Sequence, residues 1–130
     1  MRRRDFLAAS GIAITGIGVP SWLAADPRGD MYGMIVKITT ISGKRDEFIA
    51  ILLDGIGDMP GCLSYVVAKD TGDADAIWVS EVWESKASHD ASLSLASVKD
   101  AIAKGRPLIA GFSNNVVTAP VGGIGLPKRQ

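Results

Sequence analysis

A chain of 130 residues in which 14 Lys and Arg balance 14 Asp and Glu is formally neutral, and it has no run of basic residues beyond Arg2–Arg4. That balance excludes the basic footprint of a nucleic-acid-binding protein, so no nucleic-acid partner is expected. A single cysteine, Cys62, excludes an internal disulfide and a cysteine metal cluster, and a single histidine, His89, excludes every multi-histidine metal site.

The N-terminus is the first informative stretch. Arg2-Arg3-Arg4, one spacer and Phe6-Leu7 open a weakly apolar run to Leu23, diluted by Gly11, Gly16 and Gly18. This resembles a twin-arginine export signal, an address read by a receptor that passes folded cargo. It implies a signal peptide over residues 1–25, cleavage after Ala25, a periplasmic location and the Tat translocon as a partner during export. An uncleaved anchor and a cytoplasmic chain are the alternatives. No other stretch approaches the ~20 apolar residues that span a bilayer, so no stable membrane association is expected. The remainder, about 105 residues, is enough for one domain. It keeps 11 basic and 13 acidic residues, a net charge of −2.

Asp26–Asp30 reads as a polar linker. Met31–Thr40 is rich in β-branched residues and predicts a strand. Lys44 to about Gly57 places Phe48, Ile49, Leu52, Leu53 and Ile56 at helical spacing, with Asp46 and Glu47 suiting the helix start. Met59-Pro60-Gly61 stops it. Cys62–Lys69 and Ala76–Glu84 predict two strands of a hairpin about the polar turn Asp70–Asp75. On the second, Ile77, Val79, Glu81 and Trp83 share one face, while Trp78, Ser80 and Val82 share the other. Ala87–Leu95 reads as helical, and Ser97–Lys104 restarts a helix that Gly105-Arg106-Pro107 ends. Phe112–Val121 predicts the last strand, and residues 122–130 a loosely held tail.

The order β-α-β-β-α-β predicts an α+β, ferredoxin-like fold: one antiparallel sheet with helices on one face. The other face still carries Ile, Val and Trp side chains, which predicts a homodimer with sheets packed face to face.

Three stretches carry a family resemblance: GKRDEF (Gly43–Phe48), MPGCLSYVV (Met59–Val67) and above all WVSEVWESKASHDASL (Trp78–Leu93), with its E-x-W-x-S-K pattern after a hairpin. With them the domain, residues 31–121, resembles the antibiotic biosynthesis monooxygenase (ABM) domain, a family of dimeric α+β barrels. The resemblance implies a cofactor-independent monooxygenase that oxidises a quinol or other phenolic aromatic with O2. Members of the family also include heme-degrading enzymes and proteins with no demonstrated chemistry, so the alternative is a non-catalytic barrel that binds a small aromatic ligand. No cofactor and no metal are expected. A heme reading lacks an axial histidine on the Ser97–Lys104 helix, and Lys37 stands about where heme-degrading relatives show asparagine.

Five residues are candidates. Trp83 matches the tryptophan that lines the pocket of the oxygenases, where its indole can stack on a flat ring and donate one N–H bond; the alternative is core packing. Glu81, on the same strand face, is a candidate base, or else the partner of a salt bridge at the dimer interface or to Arg106. His89 is the one conventional proton acceptor near neutral pH, or else a solvated helix-start residue. Many relatives carry a further histidine three positions on, where this chain has Ser92. Tyr65 is a candidate hydrogen-bond donor to substrate, or core with its hydroxyl at the rim. Arg106 is a candidate partner for an anionic or oxygen-rich substrate, or a helix C-cap. Cys62 reads as packing.

Overall fold

The computed structural model describes residues 30–127. The expected leader, nearly all of the linker and the last three residues lie outside them. Strand β1 (Tyr32–Thr40) leads to helix α1 (Arg45–Gly55), then the hairpin of β2 (Cys62–Lys69) and β3 (Ala76–Trp83). Helices α2 (Lys86–Ser92) and α3 (Ala96–Gly105) follow, then a 3-10 turn (Arg106–Leu108) and β4 (Ile109–Thr118). The sheet order is β2-β3-β1-β4, and every neighbouring pair is antiparallel. This is the α+β, ferredoxin-like arrangement that the element order implies, with its second helix in two pieces.

Side-chain alternation decides what each strand buries. Val36 and Ile38 of β1 and Ile77 and Val79 of β3 point to the helical side. There they pack with Phe48 of α1 and Leu108 of the 3-10 turn. Each of these large apolar side chains stabilises the fold by about 1.5–3 kcal/mol when fully buried. Arg45, the first residue of α1, ties that helix to the β2–β3 turn: its Nη1 donates to the carbonyls of Asp70, Asp73 and Ala76 at 3.2, 2.9 and 3.4 Å. The turn into α1 passes through Gly43, whose φ of 79° lies in the left-handed region where a side chain is strained.

Several boundaries differ from the sequence reading. Leu53, expected on the apolar face of α1, is half-exposed, while Ile51 packs beside the core. Five positions at ~100° per residue carry Leu53 about 140° round the helix from Phe48, so it cannot share that face. Helix α1 ends at Gly55, two residues early. Strand β4 begins at Ile109 and stops at Thr118 rather than running from Phe112 to Val121. The 3-10 turn at Pro107 has already returned the chain to the sheet, where the Leu108 carbonyl accepts from the Ile41 amide at 2.8 Å. In the tail, Gly123 accepts from the Leu126 amide at 3.1 Å.

On the outer face of the sheet, register aligns Val66, Ser80, Ile35 and Val116 in one row across all four strands. The three apolar members of that row are exposed.

Candidate active site

Between the sheet and the helices lies a cavity of about 630 Å3. Its walls are mostly apolar, from Ile38 and Phe48 across to Leu93, Val98, Ile102 and Phe112. Tyr65, Glu81, Trp83, His89 and Arg106 all line it, so the structure gathers the five sequence candidates around one space. They come from four elements: Tyr65 from β2, Glu81 and Trp83 from β3, His89 from α2 and Arg106 from the turn before β4.

Trp83 is 1% exposed and forms a wall of the cavity. Its Nε1 donates to Glu81 Oε1 at 2.8 Å. Two residues apart on one strand face, the pair is a direct product of β alternation. The bond changes both expectations. The indole N–H is committed within the protein and is not free for substrate. One oxygen of Glu81 holds the indole. Among the described residues Glu81 makes no ion pair with Arg106 or any other cation.

His89 sits edge-on to Trp83, with ring centroids 5.5 Å apart and planes at 83°. The Tyr32 ring lies 5.2 Å from it, tilted by 44°. Only 16% of the side chain is exposed, so it is not a solvated surface residue. Its Nδ1 lies 3.1 Å from Asp90 Oδ1. The buried Ser92 donates its hydroxyl to the His89 carbonyl at 2.6 Å. Helix α2 is held at its start by Ser85, whose side chain accepts from the Ser88 amide at 3.1 Å.

Burial pushes the Tyr65 phenol above its ordinary range, and the nearby Glu81 carboxylate adds to the effect. The hydroxyl therefore stays protonated and is a donor rather than a base. Burial also raises the Cys62 thiol, which donates to the Ser64 carbonyl at 3.6 Å, as a packed thiol does. Arg106 is exposed at the cavity rim and is also the C-cap residue of α3.

Sequence reasoning missed Asp90, Ser92 and Tyr32 as neighbours of His89. The adjacency of His89 and Asp90, and the four-residue spacing from Lys86 to Asp90, were visible signals for the first. Nothing in the sequence marked Tyr32, which reaches His89 from β1. Among the described residues, no group of three His, Cys, Asp or Glu is placed to hold a metal.

A four-stranded antiparallel sheet backed by split helices over an aromatic-walled cavity defines a small α+β ligand-cavity protein. The family model for antibiotic biosynthesis monooxygenases matches residues 31–104, and the chain belongs to that family. A solved structure from Chloroflexus aurantiacus J-10-fl, provisionally named as such a monooxygenase, is 60% identical, covers 75% of this chain and 99% of its own, and superposes with a TM-score of 0.73. One from Nitrosomonas europaea with the same provisional name is 15% identical over 72% of this chain and 92% of its own, at a TM-score of 0.66. One from Caulobacter crescentus CB15 is 24% identical over 68% and 86%, at 0.60. The last two show the fold alone. The comparison with curated proteins gives no match.

Proposed function

We propose that the protein is a cofactor-independent monooxygenase acting on a quinol or similar phenolic ring. The observation that carries the reading is the convergence of Tyr65, Glu81, Trp83, His89 and Arg106 on one largely apolar cavity. The ring lies against the Trp83 face, which Glu81 fixes. His89 accepts the proton of a ring hydroxyl. The protonated Tyr65 donates to an oxygen of the ring, and Arg106 attracts its developing negative charge from the rim. The phenolate passes one electron to O2, and the two radicals join as a carbon–oxygen bond to a ring hydroperoxide. Loss of water breaks the O–O bond. One oxygen atom stays on the ring as a hydroxyquinone and the other leaves as water. The quinol supplies all four electrons, so no external reductant enters.

Oxygen-electrode measurements with a panel of hydroquinones test this. One O2 consumed per quinol and one 18O atom in the product are expected, with a large loss in His89→Ala and Trp83→Ala. Uptake no faster than in Trp83→Ala overturns it. The second reading, a non-catalytic binder of small aromatics, is favoured by Ser92 in place of a histidine and by the mutual commitment of Trp83 and Glu81. Calorimetric binding of a hydroquinone with no oxygen uptake would establish that reading instead.

We further propose a homodimer and twin-arginine export to the periplasm. The exposed row Val66, Ile35 and Val116 supports face-to-face pairing of two sheets. Light scattering of the purified protein tests the first. Among the described residues no helix is long and apolar enough to cross a membrane. Periplasmic delivery lost on changing Arg3-Arg4 to Lys-Lys supports the export route, and unchanged delivery counts against it.

A further inference from the structure

We infer that Asp90 is a positioning residue that sets the tautomer of His89, so that Nε2 is the nitrogen presented as proton acceptor in the cavity. The inference rests on the reading of His89 as the base. Asp90 Oδ1 lies 3.1 Å from His89 Nδ1. An ionised carboxylate can only accept, so Nδ1 must carry the proton. The second oxygen, Oδ2, is held by Lys86 Nζ at 2.7 Å, one helical turn earlier. Lys86, and after it His89, keeps the Asp90 carboxyl below the ordinary carboxylate range, so it stays ionised wherever His89 is neutral.

The ring has little freedom to escape this partner. Tyr32 and Trp83 pack against it at 5.2 and 5.5 Å, and Ser92 fixes its backbone carbonyl at 2.6 Å. A proton on Nδ1 leaves the lone pair on Nε2. Neutral histidine in water prefers the opposite tautomer, with the proton on Nε2, so Asp90 reverses the intrinsic preference. Asp90 does not itself line the cavity; it acts through the ring.

His89 is the single histidine of the chain, so its ring gives one unambiguous spin system. Two-bond proton–nitrogen correlation on the 15N-labelled full chain reads the tautomer directly, at a pH high enough that the ring shifts no longer move. The expected spectrum shows a protonated Nδ1 and an unprotonated Nε2. Asp90→Ala should move the proton mainly to Nε2, and Asp90→Glu should restore at least part of the original pattern. A wild-type ring protonated on Nε2, or a spectrum indifferent to Asp90→Ala, overturns the inference. In oxygen uptake, Asp90→Ala should lower kcat at least about tenfold with little change in KM, a fraction of what general base catalysis contributes. Uptake that falls while the tautomer does not move also overturns it. If His89→Ala leaves uptake unchanged, the base reading fails and the spectra alone decide the role of Asp90.

Discussion

Strand β3 passes through two environments within eight residues. Its first half places Ile77 and Val79, which do not line the cavity, in the packed core with Phe48 and Leu108. Its second half places Glu81 and Trp83 against a cavity of about 630 Å3. The strand is continuous and the alternation is the same, so the difference comes from the helical layer above. Over the first half, Phe48, which also forms a wall of the cavity, fills the space so closely that a Cβ at Gly105 would sit 2.9 Å from its Cε1. Toward the second, the layer is split between Ser92 and Ala96, and residues on both sides of the split line the cavity. One half of the sheet face supplies stability and the other supplies a site.

The two halves should therefore fail in different ways. Ile77→Ala removes a side chain with no exposed surface from the packed half and should lower the unfolding free energy by about 2–5 kcal/mol. At about 4–8 °C per kcal/mol for a domain of this size, thermal denaturation resolves the loss easily. Aromatic binding by the molecules still folded should be unaltered. Trp83→Phe, in the hollow half, keeps an aromatic wall but breaks the bond to Glu81 and leaves a partly buried oxygen unpaired. A cost of about 1–3 kcal/mol is expected, together with a loss of oxygen uptake larger than stability explains. A Trp83→Phe protein with native turnover would erase the distinction between the halves.

The packed half was the more legible in the sequence. Alternation in β3 assigned Ile77 and Val79 to one face together with Glu81 and Trp83, and the structure agrees. The element order fixed the sheet topology, because two β-α units joined by a tight hairpin have few other ways to cover one face. The strand ends were less legible. Pro107 reads as a helix stop, but its 3-10 turn, which delivers Leu108 to the core and starts β4 at Ile109, is a tertiary result. The five cavity residues stand out in the sequence by residue type and family pattern, not by geometry. Their relations were mostly hidden: that Trp83 donates to Glu81 follows from strand spacing, but that Asp90 engages His89 depends on rotamers and on packing against Tyr32.

Tyr65 sharpens the comparison from the alkaline side. It faces the cavity from β2, and burial raises its phenol above the ordinary value, with Glu81 adding to the shift. The sign follows from linkage. The folded state holds this proton more tightly than the unfolded chain, so stability is intact below the ordinary phenol range and declines as pH rises through and beyond it. Denaturant midpoints should fall between pH 9 and 11 by less in Tyr65→Phe than in the wild type. The difference between their absorbance titrations at 295 nm should show the Tyr65 phenol ionising only above the range of a free phenol. Equal midpoints in both proteins would mean that the hollow half is wet enough to solvate tyrosinate.

The smallest effect tests whether the two halves unfold together. Helix α2 has seven residues, too few to persist by local hydrogen bonding alone. It carries His89 and Asp90, and its start depends on Ser85. That side chain accepts from the Ser88 amide at 3.1 Å and donates to the Ser88 hydroxyl at 3.2 Å, while the Ser85 carbonyl accepts from the His89 amide at 3.3 Å. Ser85→Ala should cost about 1 kcal/mol at this cap. If α2 opens locally, that is about a fivefold faster hydrogen exchange at the His89 amide, with the amides of the β1–β3 ladder unchanged. A fivefold rise at Val36 and Val79 as well would show one cooperative unit, in which the packed half unfolds whenever the hollow half does.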